Sequence, residues 1–142
     1  MQKHLKIFVF VCLFSTQAAS VTAGEIAVIA NKDLSINSLN IKQVKKLWLS
    51  KIKKVGDSGN LVPVDVDPSS ANYSAFYKKV AKKNPAQIKL YWSKQMFSGK
   101  NFPAKRLSDD DSIIEWVSSN KNAIGYISAD KVTDSVKVLG TF

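Results

Sequence analysis

Signals for the start of a helix constrain the fold of this chain more than any other feature of its sequence. Asn40 is followed three residues later by Gln43, and Asn84 by Gln87. This is the spacing of a capping box, in which two side chains bond to each other's backbone N–H groups. Pro85 stands at the first helical position after Asn84, where a missing N–H costs nothing. The spacing predicts one helix after Asn40 and another after Asn84.

Three consecutive aspartates, Asp109–Asp111, lie at the start of a further predicted helix. Ser108 has capping-box spacing to Asp111, and acidic residues in a first turn complement the helix dipole. Neighbouring residues on a helix point about 100° apart, so these carboxylates do not converge on one cation. We therefore expect a helix start here and no metal site.

Short apolar runs alternate with these helices. Glu25–Ala30, Leu61–Val66, "AIGYIS" and "VKVL" have the length and composition of strands. An apolar stripe from Tyr73 to Val80 predicts one more helix after "DPSSAN". The alternation predicts an α/β fold in which about four helices cover a small mixed sheet.

The first 23 residues have the pattern of a secretory signal peptide. Lys3 and Lys6 precede an apolar run, and Val21–Ala23 supplies the small residues of a cleavage site. The sequence therefore predicts a cleaved signal peptide over residues 1–23, a periplasmic location, and a single domain over residues 24–142.

Removal of that segment would limit the chemistry of the mature chain. Cys12 and His4 are the only cysteine and histidine, and both would leave with it. Disulfides, Cys/His metal sites and Ser-His-Asp triads are then excluded. We expect no enzyme, no metal and no cofactor.

The expected mature chain is basic, with 19 basic against 11 acidic residues and a net charge of +8. Such a balance favours anionic ligands through long-range attraction. All the basic residues but Arg106 are lysines, and no aromatic-interleaved basic motif is present. We therefore expect no binding of nucleic acid.

The stretch "DPSSANY" places small polar residues where a helix is predicted to begin. The first backbone N–H groups of a helix have no internal partner, so that end attracts anions. Two interpretations stay open. Ser70 or Asn72 simply caps the helix, or Ser69, Ser70 and Asn72 form an oxyanion site with the N–H groups of Ala71 to Tyr73.

Four segments of the chain carry a family resemblance: "IAVIANKD", "VDVDPSSANYSAFYKKV", "NPAQIKLYWSKQMFSGK" and "NAIGYISAD". Their order resembles the phosphate ABC transporter substrate-binding proteins, which are type 2 periplasmic binding proteins, and most of all a short single-lobe branch of them. The resemblance spans residues 26 to 139, and Pro85–Lys100 and Ala123–Tyr126 are its most specific parts. It implies a single-lobe type 2 periplasmic-binding-protein-like domain.

Two-lobed members of that family hold phosphate between lobes that close around it. One anchor is a Gly-Ser-Gly-Thr-like segment at a helix start, preceded by an arginine. In this chain the segment falls on Ser69–Asn72, with Ser70 at the serine and Asn72 at the threonine. The arginine position falls near Val66, so the resemblance leaves Arg106 as the candidate cation. "NKDLS" stands where the other lobe's phosphate loop would be, so we expect weak binding in an open site.

The resemblance implies a periplasmic solute-binding module for phosphate or another small oxyanion. The implied ligand-binding residues are Ser69, Ser70, Ala71, Asn72, Tyr73 and Arg106. A membrane transporter or sensor is the implied partner, and a second copy could close the site as a homodimer. The alternative is an interaction protein that lost the ligand and docks a membrane sensor, a transporter or an envelope polyanion.

Overall fold

The computed structural model describes residues 24–142, and the predicted signal peptide lies outside the described residues. These residues form a sheet covered by helices, which confirms the predicted α/β class. No helix in residues 24–142 is long and apolar enough to cross a membrane. The elements are β1 (Ile26–Asn31), α1 (Ile41–Trp48), β2 (Val62–Val66), α2 (Ala71–Ala81), α3 (Pro85–Phe97), β3 (Lys105–Leu107), α4 (Asp110–Ser119), β4 (Ala123–Ser128), a 3-10 turn (Ala129–Lys131) and β5 (Val136–Thr141).

The five strands form one mixed sheet in the order β3-β2-β4-β1-β5. Strand β1 is antiparallel to β4 and β5, whereas β2 is parallel to both β3 and β4. The carboxyl ends of β2, β3 and β4 therefore lie at the same edge of the sheet. Helices α2 and α4 follow β2 and β3, so both begin at that edge.

All the predicted helices are present, and the capping box is complete at two of the three predicted positions. Asn40 and Asn84 each cap a helix through a complete capping box. The third prediction was wrong by one residue, because Asp109 and not Ser108 caps α4. Its carboxylate accepts a 2.8 Å bond from the N–H of Ser112, and a charged acceptor bonds more strongly there than a hydroxyl.

Aromatic side chains fill the core between the sheet and the helices α1 and α2. The rings of Phe76 and Tyr126 stack in parallel with centroids 3.8 Å apart. Trp48 packs edge-on against Phe76 at 5.2 Å, and its indole N–H donates to the carbonyl of Val64. Such paired geometry adds to the energy of burial and holds α2 in place over β2 and β4.

Candidate functional site

Ser70 is the N-cap of α2. Its Oγ accepts a 3.2 Å hydrogen bond from the N–H of Asn72, and its carbonyl accepts one from the N–H of Tyr73. Its own N–H donates to the carbonyl of Asp67 at 2.9 Å. The capping interpretation is therefore confirmed for Ser70. An anion that used the Asn72 N–H would first have to displace this hydroxyl.

Ser69 lies in the turn before the cap, where Asp67 engages it twice. Its N–H and its Oγ donate to the same carboxylate oxygen of Asp67 at 2.8 and 2.6 Å. The hydrogen bond from the Ser69 side chain is the largest cause that lowers the pKa of this exposed carboxylate. Between Ser69 and Tyr73, only the exposed N–H of Ala71 has no partner among the described residues.

The side chain of Asn72 joins the starts of two helices to the end of a strand. Its Nδ2 donates to Asp110 at 2.9 Å, and its Oδ1 accepts a 3.1 Å bond from the hydroxyl of Ser128. The other carboxylate oxygen of Asp110 accepts from the N–H of Ser128 at 3.2 Å. The side-chain amide of Asn72 is therefore engaged through both its nitrogen and its oxygen. The same bonds place the buried carboxylate of Asp110 at the predicted anion site.

Arg106 approaches the start of α2 from the neighbouring strand. In the parallel pairing of β2 with β3 it lies opposite Asp65, and its side chain is exposed. Arg106 lies close enough to the buried side chain of Tyr73 for its charge to act on the Tyr73 hydroxyl. Burial is the main cause that raises the pKa of Tyr73, and Arg106 partly opposes this rise.

Arg106 also lines an open cavity of about 380 Å³ beside the start of α2. We call this cavity the Arg106 pocket. Its walls come from the turn after β2, from α2, from the first turns of α3 and from β3. The lining residues are Pro68, Tyr73, Pro85, Ala86, Lys89 and Arg106.

Asp65 is a buried carboxylate close to this site that sequence reasoning missed. It is 3% exposed and accepts hydrogen bonds from the hydroxyls of Tyr77 and Tyr126, the first at 2.5 Å. Burial raises its pKa to about 6, although both tyrosines, the N–H of Val66 and the charge of Arg106 act to lower it. The sequence did offer a signal for this residue, because an aspartate between two valines in a predicted strand indicates a carboxylate near the core.

The structure thus brings all six predicted ligand-binding residues to one edge of the sheet. Five of them form the start of α2, and β3 adds Arg106 next to Tyr73. Two carboxylates, Asp67 and Asp110, lie on the same side and oppose the charge of an incoming anion. Arg106 lies close enough to Asp67 for its charge to act on that carboxylate, and it also lines the Arg106 pocket.

Comparison with known proteins shows which solved structures share this architecture. No protein-family model and no curated protein matches the chain significantly. Solved structures do match with probability 1.00, and they are phosphate-binding proteins of transporters. The described residues have the single-lobe type 2 periplasmic-binding-protein fold that the sequence predicted, and the resemblance to phosphate ABC transporter substrate-binding proteins is confirmed.

Three of these structures give the extent of the similarity. A protein from Clostridium perfringens, assigned as a phosphate ABC transporter substrate-binding protein and solved with bound phosphate, is 25% identical with a TM-score of 0.65. An ABC-type phosphate transport receptor from Vibrio cholerae is 18% identical, also with a TM-score of 0.65. PstS from Borrelia burgdorferi is 17% identical with a TM-score of 0.59.

The similarity covers one part of each larger protein. It includes 82%, 83% and 82% of this chain, but only 45%, 47% and 47% of the three solved chains. The chain therefore spans about half the length of the solved structures it matches. Those neighbours are named for substrate binding and transport, not for catalysis.

Proposed function

We propose that this protein is a periplasmic solute-binding module that binds phosphate or a similar oxyanion without catalysis. The observation that carries the proposal is the position of Arg106. The chain has no other arginine, and Val66 stands where the family resemblance expects one. Strand β3 carries Arg106 into the same cavity as Tyr73, which lies in the first turn of α2, and this nearness supports a guanidinium as the cation of the site.

The groups around Arg106 support weak binding of an oxyanion. A guanidinium presents donors in a fork that matches two oxygens of a phosphate, and the free N–H of Ala71 offers one more donor. Against this, Asp67 and Asp110 repel a second negative charge, and the open pocket keeps the ligand hydrated. We therefore propose weak binding by the residues Ser69, Ser70, Ala71, Asn72, Tyr73 and Arg106.

The cellular setting is part of the same proposal. We propose that residues 1–23 are a cleaved signal peptide and that residues 24–142 form one domain in the periplasm. A membrane transporter or sensor would be the partner, and the names of the solved relatives support the transporter. A second copy that covers the open side would remove water from the site and strengthen each bond to the ligand.

Calorimetric titration of the purified protein with phosphate, sulfate and chloride tests this proposal. We expect saturable heat with phosphate at millimolar concentration, no heat with chloride, and loss of the signal in Arg106→Ala. Lys131→Ala is the matched control, because it removes one exposed cation from the 3-10 turn. Absence of heat with every oxyanion, or equal binding by both variants, would overturn the proposal.

A further inference from the structure

We infer that the ligand is a small phosphate monoester, and that its organic group lies in the Arg106 pocket while Arg106 and Lys89 hold its phosphate. This inference rests on the proposed function, since it assumes that an oxyanion binds beside Arg106. It adds the chemical class of the ligand, and it extends the site to α3, from which no ligand-binding residue was predicted.

The size of the Arg106 pocket is the first argument. Its volume is about 380 Å³, within the range of pockets that hold organic ligands. One water molecule occupies roughly 30 Å³ of liquid, so an ion with five heavy atoms fills only a part of such a space. Inorganic phosphate would leave the rest of the pocket to water.

The chemistry of the walls is the second argument. Pro68, Pro85 and Ala86 contribute the apolar surface of the pocket, since the ring of Tyr73 is almost fully buried. Inorganic phosphate gains nothing from such surface, whereas an organic substituent gains by removing it from water. The pocket therefore favours a ligand with one apolar part and one charged part.

The charge of the pocket selects the type of phosphate. Lys89 and Arg106 are the two cations among the lining residues, and no carboxylate is among them. A monoester carries close to two negative charges at neutral pH and matches this pair, whereas a diester carries one.

Titration of the full protein with phenyl phosphate and with inorganic phosphate tests the inference. We expect phenyl phosphate to bind with a Kd roughly tenfold lower, because the ring buries apolar surface that the ion lacks. Ala86→Phe fills the pocket and leaves both cations in place, so it should weaken phenyl phosphate alone. Lys89→Ala should weaken both ligands, and Lys94→Ala, on the same helix but outside the pocket, should weaken neither.

The outcomes separate this inference from the proposed function. Equal affinities for the two ligands, with no selective effect of Ala86→Phe, would overturn the inference and leave oxyanion binding standing. Absence of binding by both ligands would overturn both. Far-ultraviolet circular dichroism and the Tm of each variant check that the fold persists, and Ala86 suits substitution because its side chain is exposed.

Discussion

The side-chain amide of Asn72 donates a 2.9 Å hydrogen bond to the carboxylate of Asp110, and both residues stand in the first turn of a helix. The carboxylate therefore already occupies the neighbourhood of the N–H groups that the sequence marked as an anion site. Arg106 and Lys89, which line the Arg106 pocket, offer positive charge to a ligand instead. We therefore expect the ligand to bind mainly in the Arg106 pocket and not at the N-terminus of α2.

Replacement of Asn72 by alanine should destabilise the fold. The change removes one donor from the buried carboxylate of Asp110 and one acceptor from Ser128. Loss of a partner from a buried polar group costs about 1–3 kcal/mol, and urea unfolding measures it. Ser74→Ala, at an exposed position of the same helix, should stay within about 0.5 kcal/mol of the original protein. Equal midpoints for the two variants would show that the Asn72–Asp110 bond carries no stability.

Lowering the pH from about 6 to about 4 should stabilise the protein, because Asp65 becomes protonated in the folded state. Its pKa is raised from 3.8 to about 6 in the folded state, so the folded protein binds the proton more tightly than the unfolded chain. Its favourable contribution is complete below about pH 4 and is lost as the pH rises through about 6. This rise in the pKa corresponds to roughly 3 kcal/mol of unfolding free energy.

Asp65→Asn isolates this contribution, because the amide has a similar shape and does not titrate. The fall in unfolding free energy between pH 4 and 6 should be smaller in the variant, as measured by urea unfolding at several pH values. Asp67 and Asp109 have lowered pKa values, and their contributions are lost as the pH falls through the lowered range instead. A slope identical in both proteins would contradict the assignment to Asp65.

Gly125 in β4 should not tolerate a methyl group. A Cβ at this position would lie 2.6 Å from Cγ2 of Ile113, with Val64 and Val117 at 3.2 and 3.3 Å. These atoms belong to buried side chains that hold α4 against the sheet, so Gly125→Ala should destabilise the fold by about 1–3 kcal/mol. Thermal unfolding measures the loss, and Gly24→Ala, with nothing within 4 Å, serves as the control. An unchanged Tm would show that α4 can move away.

The sequence predicted those features that depend on neighbouring residues. Asn40 and Asn84 cap helices through bonds that span three residues, and the spacing of residue types along the sequence reveals such bonds. Strand β3 was not predicted, since two of its three residues are charged and pairing with β2 alone holds it extended. For the same reason, the partners of Asp65 and the position of Arg106 could not be read from the sequence. They depend on the order of strands in the sheet.

Anion binding at Arg106 should be accompanied by uptake of a proton at Asp65. Arg106 lies opposite Asp65 in the sheet, and its charge lowers the pKa of that carboxyl. A bound phosphate neutralises this charge, so the pKa should rise and Asp65 should take up a fraction of a proton near pH 6. The other groups that contact the carboxylate, Tyr77 and Tyr126, stay neutral in this range because their pKa values are raised well above 10.

Calorimetry of phosphate binding at pH 6, in two buffers with different ionisation enthalpies, measures this uptake directly. The observed heats should differ between the buffers in proportion to the protons bound. In Asp65→Asn the buffer-dependent difference should fall to what the second ionisation of phosphate itself contributes. The same pair of titrations with sulfate, which does not titrate near pH 6, omits that contribution. Arg106→Gln should raise the pKa of Asp65 in the free protein, as followed by NMR of its carboxyl carbon. An unchanged titration of Asp65 in that variant would show that the two residues are not coupled.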